Sequence, residues 1–297
     1  MKFVVFGSLN IDHTYHVPHL LRMGETMASC SYDRNVGGKG FNQAVALSRA
    51  GSDVCFAGAV GKDGAFLTDY LKGCGVDTSC IRVLDEPTGH AIIQVDAAGG
   101  NAILLFGGAN QCISDEMIEE TIRFCAPGDW ILLQNEINDG ARIIRAAHKR
   151  GLKVILNPSP VSGELLDWPL ELVSMLILNE VEGADLTGQT QPQAIADGLL
   201  ARYPHMRVVL TLGEQGAIYA DGSQRCEQAA YACDVVDTTA AGDTFTGYFL
   251  HAAARGEAID AALRQAACAA AIAVGRPGAA ASIPMREEVA RQLAKEE

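Results

Sequence analysis

The stretch Asp237-Thr238-Thr239-Ala240-Ala241-Gly242-Asp243-Thr244-Phe245 carries the strongest chemical signal in this chain. Small residues let a backbone turn tightly and approach a ligand closely. An apolar-periodic helix follows, with its N-terminus at Ala241–Asp243. Unpaired N–H groups and the helix dipole make such an end an anion hole. Asp243 sits at that mouth, where a carboxylate accepts a proton from an alcohol or simply caps the helix. Spacing alone leaves both roles open.

Four further stretches have residue types suited to ligand chemistry. Gly37-Gly38-Lys39-Gly40-Phe41-Asn42-Gln43 has three glycines in four positions. Their entropic cost points to a close backbone approach or to an ordinary glycine turn before a helix. Asn10-Ile11-Asp12 follows the first apolar run. A carboxylate there stands at the end of a strand, where open α/β sheets bind ligands, or closes an Asx-turn. Asn179-Glu180-Val181-Glu182 suits a hydrated Mg2+ or a capping box. Thr211-Leu212-Gly213-Glu214-Gln215-Gly216 reads as a strand followed by a glycine turn. The sequence contains neither a P-loop nor a dinucleotide fingerprint after its first strand. His13, His16 and His19 have metal-like spacing, but they fall in a β segment and read as lid or solvent positions.

These stretches need a scaffold, and the hydrophobic pattern supplies one. Strands are expected at Phe3–Phe6, Val54–Ala59, Trp130–Gln134, Val154–Leu156, Met175–Leu178 and Val208–Thr211. Continuous apolar runs of this length fit a parallel sheet buried on both faces. Helices are expected at Phe41–Ala50, Ala65–Lys72, Thr244–Arg255, Ala258–Val274 and Arg286–Lys295, and Ser114 reads as a further N-cap. The alternation implies a doubly wound α/β sandwich. Residues 12–36 and 86–108 break the rhythm, and 91–95 with 102–106 around Gly99-Gly100 reads as a β-hairpin. The expectation is one domain spanning 1–297, with these two segments forming a small β-sheet lid.

Composition narrows the function classes. With 23 basic and 36 acidic residues the net charge is -13, which argues against a nucleic-acid or anionic-membrane surface. An anionic small ligand is still allowed, since backbone N–H groups and a bound cation hold one locally. No apolar run reaches the roughly 20 residues of a membrane span. Met1–Gly7 is too short and too soon broken by glycine to read as a secretory signal. The nine scattered cysteines lack a Cys-x-x-Cys pair and fit reduced thiols in a cytoplasm rather than a zinc or disulfide framework.

Taken together, these stretches resemble the ribokinase-like (PfkB) carbohydrate kinase family over nearly the whole chain. The two signatures, Gly37–Gln43 and Asp237–Phe245, occur in the family's order and spacing. The resemblance implies a mostly parallel sheet between helices, and ATP-dependent phosphorylation of a sugar hydroxyl, with the C5 hydroxyl of ribose favoured. It implies Asp243 as general base, and Ala240, Ala241 and Gly242 as the anion hole for the transferring phosphoryl group. Asn10, Asp12, Gly38, Lys39, Asn42 and Glu136 are implied to grip the sugar. Asn179, Thr211, Gly213, Gly216, Gly242 and Ala267 are implied at the nucleotide, and Glu182 at Mg2+ through water. Asp237, Thr239, Ala273, Arg276, Gly278 and Ser282 are implied around a monovalent cation, K+ in the first place. A homodimer paired through the lid is implied as well.

Two positions depart from the family's pattern. Phe41 stands where close members usually carry alanine, and a ring there reshapes the sugar pocket or packs under the helix. Ala267 stands where they often place histidine or asparagine, which weakens adenine contact or shifts it to neighbours. A same-fold kinase for deoxyribose, another sugar or a nucleoside is the alternative reading. A sugar sensor without catalysis is the rival from another class.

Overall fold

The computed structural model describes residues 1–295. In chain order the first elements are β1 (Phe3–Phe6), β2 (Asn10–Val17), β3 (Ser31–Gly37), α1 (Lys39–Ala50), β4 (Val54–Gly61), α2 (Ala65–Gly73) and β5 (Asp77–Leu84). Then come β6 (Gly89–Asp96), β7 (Asn101–Phe106), α3 (Asp115–Phe124), β8 (Trp130–Gln134), α4 (Gly140–Arg150), β9 (Lys153–Asn157), β10 (Met175–Asn179) and α5 (Glu180–Thr187). The chain continues with α6 (Pro192–Arg202), β11 (Arg207–Thr211), β12 (Ala217–Ala220), β13 (Arg225–Gln228), α7 (Ala241–Ala254), α8 (Ile259–Val274) and α9 (Arg286–Leu293).

Nine strands form the main sheet, in the order β13-β12-β11-β10-β9-β8-β1-β4-β5. All its pairings are parallel except those of β12 and β13 at one edge. Every residue of β1 is buried, and successive side chains enter opposite layers. Phe3 and Val5 pack with α1, α7 and α8, while Val4 and Phe6 pack with α3, α4 and α6. This two-sided burial explains why the strands read as unbroken apolar runs. Each fully buried large side chain contributes about 1.5–3 kcal/mol.

The two segments expected to form the lid make a separate four-stranded sheet, ordered β3-β2-β6-β7. The expected hairpin is present, with Ile93 opposite Ile103 across β6 and β7. The lid starts earlier than expected, however. Asn10 and Ile11 already belong to β2, two residues ahead of the expected start at 12. The lid is tied to the body by Arg34, whose guanidinium donates to the Asp63 carbonyl at 3.2 Å and lies 4.2 Å over the Phe66 ring. Strands β5, β12 and β13 carry no expectation from the sequence: burial is mixed along β5 and β13, and β12 is fully buried but only four residues long. No helix among the described residues is long and apolar enough to cross a membrane.

Candidate active site

The site lies where the C-terminal ends of β8, β9, β10 and β11 meet the first turns of α1 and α7. Ala240 precedes α7 in the left-handed region at φ 60, a conformation that turns the chain sharply into the helix. Its carbonyl accepts from the Thr244 N–H at 2.8 Å. The Ala241 N–H donates to the Thr238 carbonyl at 3.2 Å. The Ala241 amide thus has a partner within the loop. The N–H groups of Gly242 and Asp243 make no hydrogen bond among the described residues. A Cβ at Gly242 would meet nothing within 4 Å, so this helix end opens into free space. It therefore offers two amide donors without a partner among the described residues, that of exposed Gly242 and that of buried Asp243, at the positive end of a 14-residue helix.

Asp243 points into a buried amide network. Asn42 Nδ2 donates to Asp243 Oδ2 at 3.0 Å, and Gln43 Nε2 donates to Asp243 Oδ1 at 2.9 Å. Gln43 Nε2 also donates to Asn157 Oδ1 at 3.1 Å, and Gln43 Oε1 accepts from Gln134 Nε2 at 2.6 Å. Asn157 Nδ2 donates to the Ile177 carbonyl at 2.9 Å. A backbone carbonyl only accepts, so the Ile177 carbonyl sets the orientation of every amide behind it. In that orientation Gln43 donates to Asp243 Oδ1, and Asn42 adds a separate donor to Oδ2, so the carboxylate accepts on each oxygen. Gln43, Gln134 and Asn157 were not expected from the sequence to act at the site. The available signal was a polar residue ending each of the apolar strands β8 and β9.

Ser8, Lys39 and Glu136 form a second group. Glu136 Oε2 accepts from the Lys39 N–H at 3.0 Å and from the Ser8 hydroxyl. Burial pushes the Glu136 carboxyl above its ordinary range, against the hydrogen bonds from Ser8 and Lys39. Asp12 is pushed up to about 7, first by burial and then by the Glu136 carboxylate. Burial opposes the Lys39 ammonium, but the carboxylates of Asp243, Glu136 and Glu182 outweigh it and hold its pKa above the lysine value. Asn10 lies beside this group, where Oδ1 accepts from Asn110 Nδ2 at 2.8 Å.

The glycine motif between β3 and α1 is explained by packing. Gly38 has φ 98, and a Cβ on Gly40 would come within 2.7 Å of Gly7 Cα. The close approach foreseen from the sequence is thus made to the backbone of Gly7 and Ser8, and it brings Lys39 and Asn42 over the strand ends. A Cβ on Gly37 would collide with the Asp12 carboxylate. Phe41 is fully buried against Tyr70, 5.5 Å between ring centroids, so its ring packs under the helix.

Asn179 and Glu182 form the capping box of α5, with Asn179 Oδ1 accepting from the Glu182 N–H at 2.9 Å and Glu182 Oε2 accepting from the Asn179 N–H at 3.0 Å. They also line a polar cavity of about 250 Å³ with Lys39, Asn157, Gly242 and Asp243. Across the start of α7 lies a larger cavity of about 590 Å³, whose walls include Gly213, Gly216, Tyr231, Phe245, Ala267 and Val274. Thr211, Thr238, Ala241 and Gly242 border both cavities, so the two form one cleft with the open helix end at its waist.

Behind this loop Asp237 Oδ1 accepts from the Thr239 N–H at 2.9 Å and from its hydroxyl at 2.5 Å, while Oδ2 accepts from the Gly278 N–H at 2.9 Å. Burial acts against the Asp237 charge, but these hydrogen bonds prevail and hold its carboxyl below the usual range. The Ala273 carbonyl accepts from the Arg276 N–H at 3.0 Å, and the Ser282 hydroxyl donates to the Ala279 carbonyl at 2.7 Å. The segments at 237–239 and 273–282 are therefore joined. Among the described residues no group of three or more His, Cys, Asp or Glu side chains is placed to hold a metal ion. His13, His16 and His19 have separate partners, Tyr32, Asp33 and Glu25.

Known proteins are similar to this chain in sequence and fold. The chain is 36% identical to the ribokinase of Haemophilus influenzae over 293 residues, covering 96% of this chain and 95% of that one. It is 30% identical to a deoxyribokinase of Salmonella typhi over 308 residues and the full length of both. The structure of Arabidopsis thaliana ribokinase complexed with ribose and ATP superposes with a TM-score of 0.86 at 33% identity, covering 98% of each chain. Residues 1–286 match the pfkB family carbohydrate kinases. On sequence, fold and length alike, the chain belongs to the pfkB family of carbohydrate kinases, which are phosphotransferases acting on an alcohol group.

Proposed function

We propose that this protein transfers the γ-phosphoryl group of ATP to the C5 hydroxyl of D-ribose. The observation that carries the reading is the two-chambered cleft meeting at Gly242. The larger chamber has apolar walls suited to a purine, and the smaller one holds Asp243 beside the open amides. A phosphate chain crossing the waist places its terminal group on the Gly242 and Asp243 N–H donors. Ribokinase and deoxyribokinase relatives favour a pentose, and the ribokinase solved with ribose and ATP shares the fold along its whole length.

In the polar chamber Asp243 accepts the proton of the attacking hydroxyl as the new P–O bond forms. Asn42 and Gln43 aim both carboxylate oxygens, so the base needs no reorientation. The open amides and Lys39 stabilise charge on the transferring group. Asp12, Glu136 and Asn42 offer acceptors to a polyol, and Asn42 Oδ1 is buried without a protein partner. Three carboxylates around one lysine also favour a neutral sugar over a phosphorylated one.

Glu182 presents a hard oxygen donor to the same chamber, which suits a hydrated Mg2+. Bound with the nucleotide, Mg2+ neutralises phosphate charge. The joined loops around Asp237 and the carbonyl oxygens near Ala273, Gly278 and Ser282 suit a monovalent cation, K+ first, that stiffens the anion-binding loop. The edge strand β7, where Leu104 and Leu105 are 66% and 57% exposed, supports pairing of two copies through the lid.

The test is nucleotide turnover on ribose, 2-deoxyribose, fructose and adenosine side by side. The reading expects the highest kcat/KM for ribose, with phosphate on C5. A higher value for any other acceptor assigns the protein to that substrate. Tight ribose binding without ADP release makes it a sensor.

A further inference from the structure

The far end of α7 carries a second group of polar side chains, which the transfer reaction does not use. His251 lies eight positions beyond Asp243 on that helix, about 12 Å along its axis. It lines a cavity of about 290 Å³ walled by residues of α1, α7, α8 and α9. Arg255, four positions on, shares its face, and Arg286 enters from the start of α9. A Cβ on Gly51, just after α1, would lie 3.1 Å from Arg286 Nη1 and 3.5 Å from His251 Cε1, so guanidinium and imidazole meet at one point.

Much of the donor capacity here is unspent. His251 Nδ1 is paired with the Ser52 hydroxyl at 2.8 Å, and Nε2 has no partner among the described residues. Arg255 Nε donates to Glu257 Oε1 at 3.2 Å, while Glu257 Oε2 accepts from Gln265 Nε2. The Nη groups of Arg255 make no hydrogen bond among the described residues. Arg286 Nε stands 3.8 Å from the Glu287 carboxylate, too far for a hydrogen bond. The walls thus set two guanidinium groups and an imidazole against one carboxylate, in a chain of net charge -13. The negative end of α7 is covered, since the His251, Ala252 and Ala253 carbonyls accept from the N–H groups of Arg255, Glu257 and Gly256. Opposite the charged groups the wall is apolar, with Val289 and Leu293 beside Tyr248, whose hydroxyl is spent on the Pro284 carbonyl at 2.8 Å.

We propose that this cavity is a second ligand site that binds a small phosphomonoester, with the phosphoryl oxygens on Arg255, Arg286 and His251 and the organic part against Val289 and Leu293. Guanidinium forks match phosphate geometry and form short, charge-assisted hydrogen bonds to it. The apolar wall facing them favours an ester over bare phosphate. The groups facing His251 are Tyr248 on its own helix, Arg255 and Glu257 beyond it, Ser52 after α1, Gln265 on α8 and Arg286 on α9. Burial first, then the Arg255 guanidinium, then that of Arg286, hold the His251 imidazole below its ordinary range, with the Glu257 carboxylate acting the other way. A dianion seated among these groups offsets both arginines and so raises the His251 pKa. By linkage, protonated His251 binds that dianion more tightly.

Imidazole NMR of the full chain between about pH 5 and 8 tests the site, with the His251 signal assigned by its loss in His251→Gln. Glycerol 3-phosphate serves as the phosphomonoester, beside inorganic phosphate and uncharged glycerol. Glycerol 3-phosphate should raise the His251 titration midpoint by about 1 pH unit in a saturable way, and glycerol should leave it in place. Inorganic phosphate should act in the same sense with weaker affinity, and equal or tighter binding overturns the assignment of an ester. The double variant Arg255→Ala, Arg286→Ala removes two side chains that are each 65% exposed, so its circular dichroism should stay native. Its affinity for glycerol 3-phosphate, read at His251, should fall at least about tenfold, the worth of a hydrogen bond to a charged group. A response that survives undiminished in the double variant, or no response in the native protein, overturns the site.

Discussion

Gln43 Nε2 is shared between Asp243 Oδ1 at 2.9 Å and Asn157 Oδ1 at 3.1 Å, so one amide group links the base on α7 to the end of β9. The linkage is polarised from the Ile177 carbonyl outward, leaving Gln43 no orientation in which it does not donate to Asp243.

Replacing Gln43 by Met keeps the volume and removes the donor. It should lower kcat about tenfold with little change in the KM for ATP, since the lost hydrogen bond to a charged group is worth roughly 1.5–3 kcal/mol. Asn157 and Gln134 also lose a partner, so the melting temperature should fall. Steady-state kinetics beside a thermal melt check both. An unchanged kcat with a lowered melting temperature would make Gln43 purely structural.

Asp243→Ala should cut kcat by about 10²-fold or more, the usual worth of a general base. The carboxylate borders a polar cavity, so water can meet the freed Asn42 and Gln43 donors and the fold should persist. Circular dichroism with a coupled ADP assay reads both outcomes. A folded variant that keeps its kcat removes Asp243 from the chemistry.

Asp12 makes the stability depend on pH in an unusual direction. Its folded pKa of about 7 lies above the 3.8 of an ordinary aspartate, so the folded chain holds a proton the unfolded chain has released. Its contribution is therefore most favourable below pH 3.8 and is lost as pH rises to about 7. Asp12→Asn should remove that decline, and the variant's advantage in melting temperature should grow over the same interval. With sugar present, a charged Asp12 is the better acceptor. The KM for ribose should then rise as the pH falls below about 7, and Asp12→Asn should flatten that dependence.

The exposed edge of β7 predicts the assembly. Leu104→Lys places a charge on an edge that is 66% exposed at that residue, so the isolated chain should tolerate it. Light scattering should report a dimer for the native protein and a monomer for the variant. A native monomer at micromolar concentration, or a variant that stays dimeric, would move the interface away from the lid.

Much of this molecule was legible in its sequence. Unbroken apolar runs such as Phe3–Phe6 and Trp130–Gln134 announced a two-sided parallel sheet, because only strands covered on both faces can be apolar at every position. The run of small residues before Asp243 marked a helix end that a ligand can approach. These are local properties, written within a few neighbouring residues. The tertiary structure alone decided what lies far apart in sequence and close in space. It placed Gln43 and Asn42 against Asp243, some 200 positions away, and it made Gly7 and Ser8 the surface that Gly40 approaches. It buried Asp12 and set it near a second carboxylate, and both raise its pKa. Hydrogen bonds and electrostatic fields act across a few ångströms regardless of chain separation, so no window of sequence contains them.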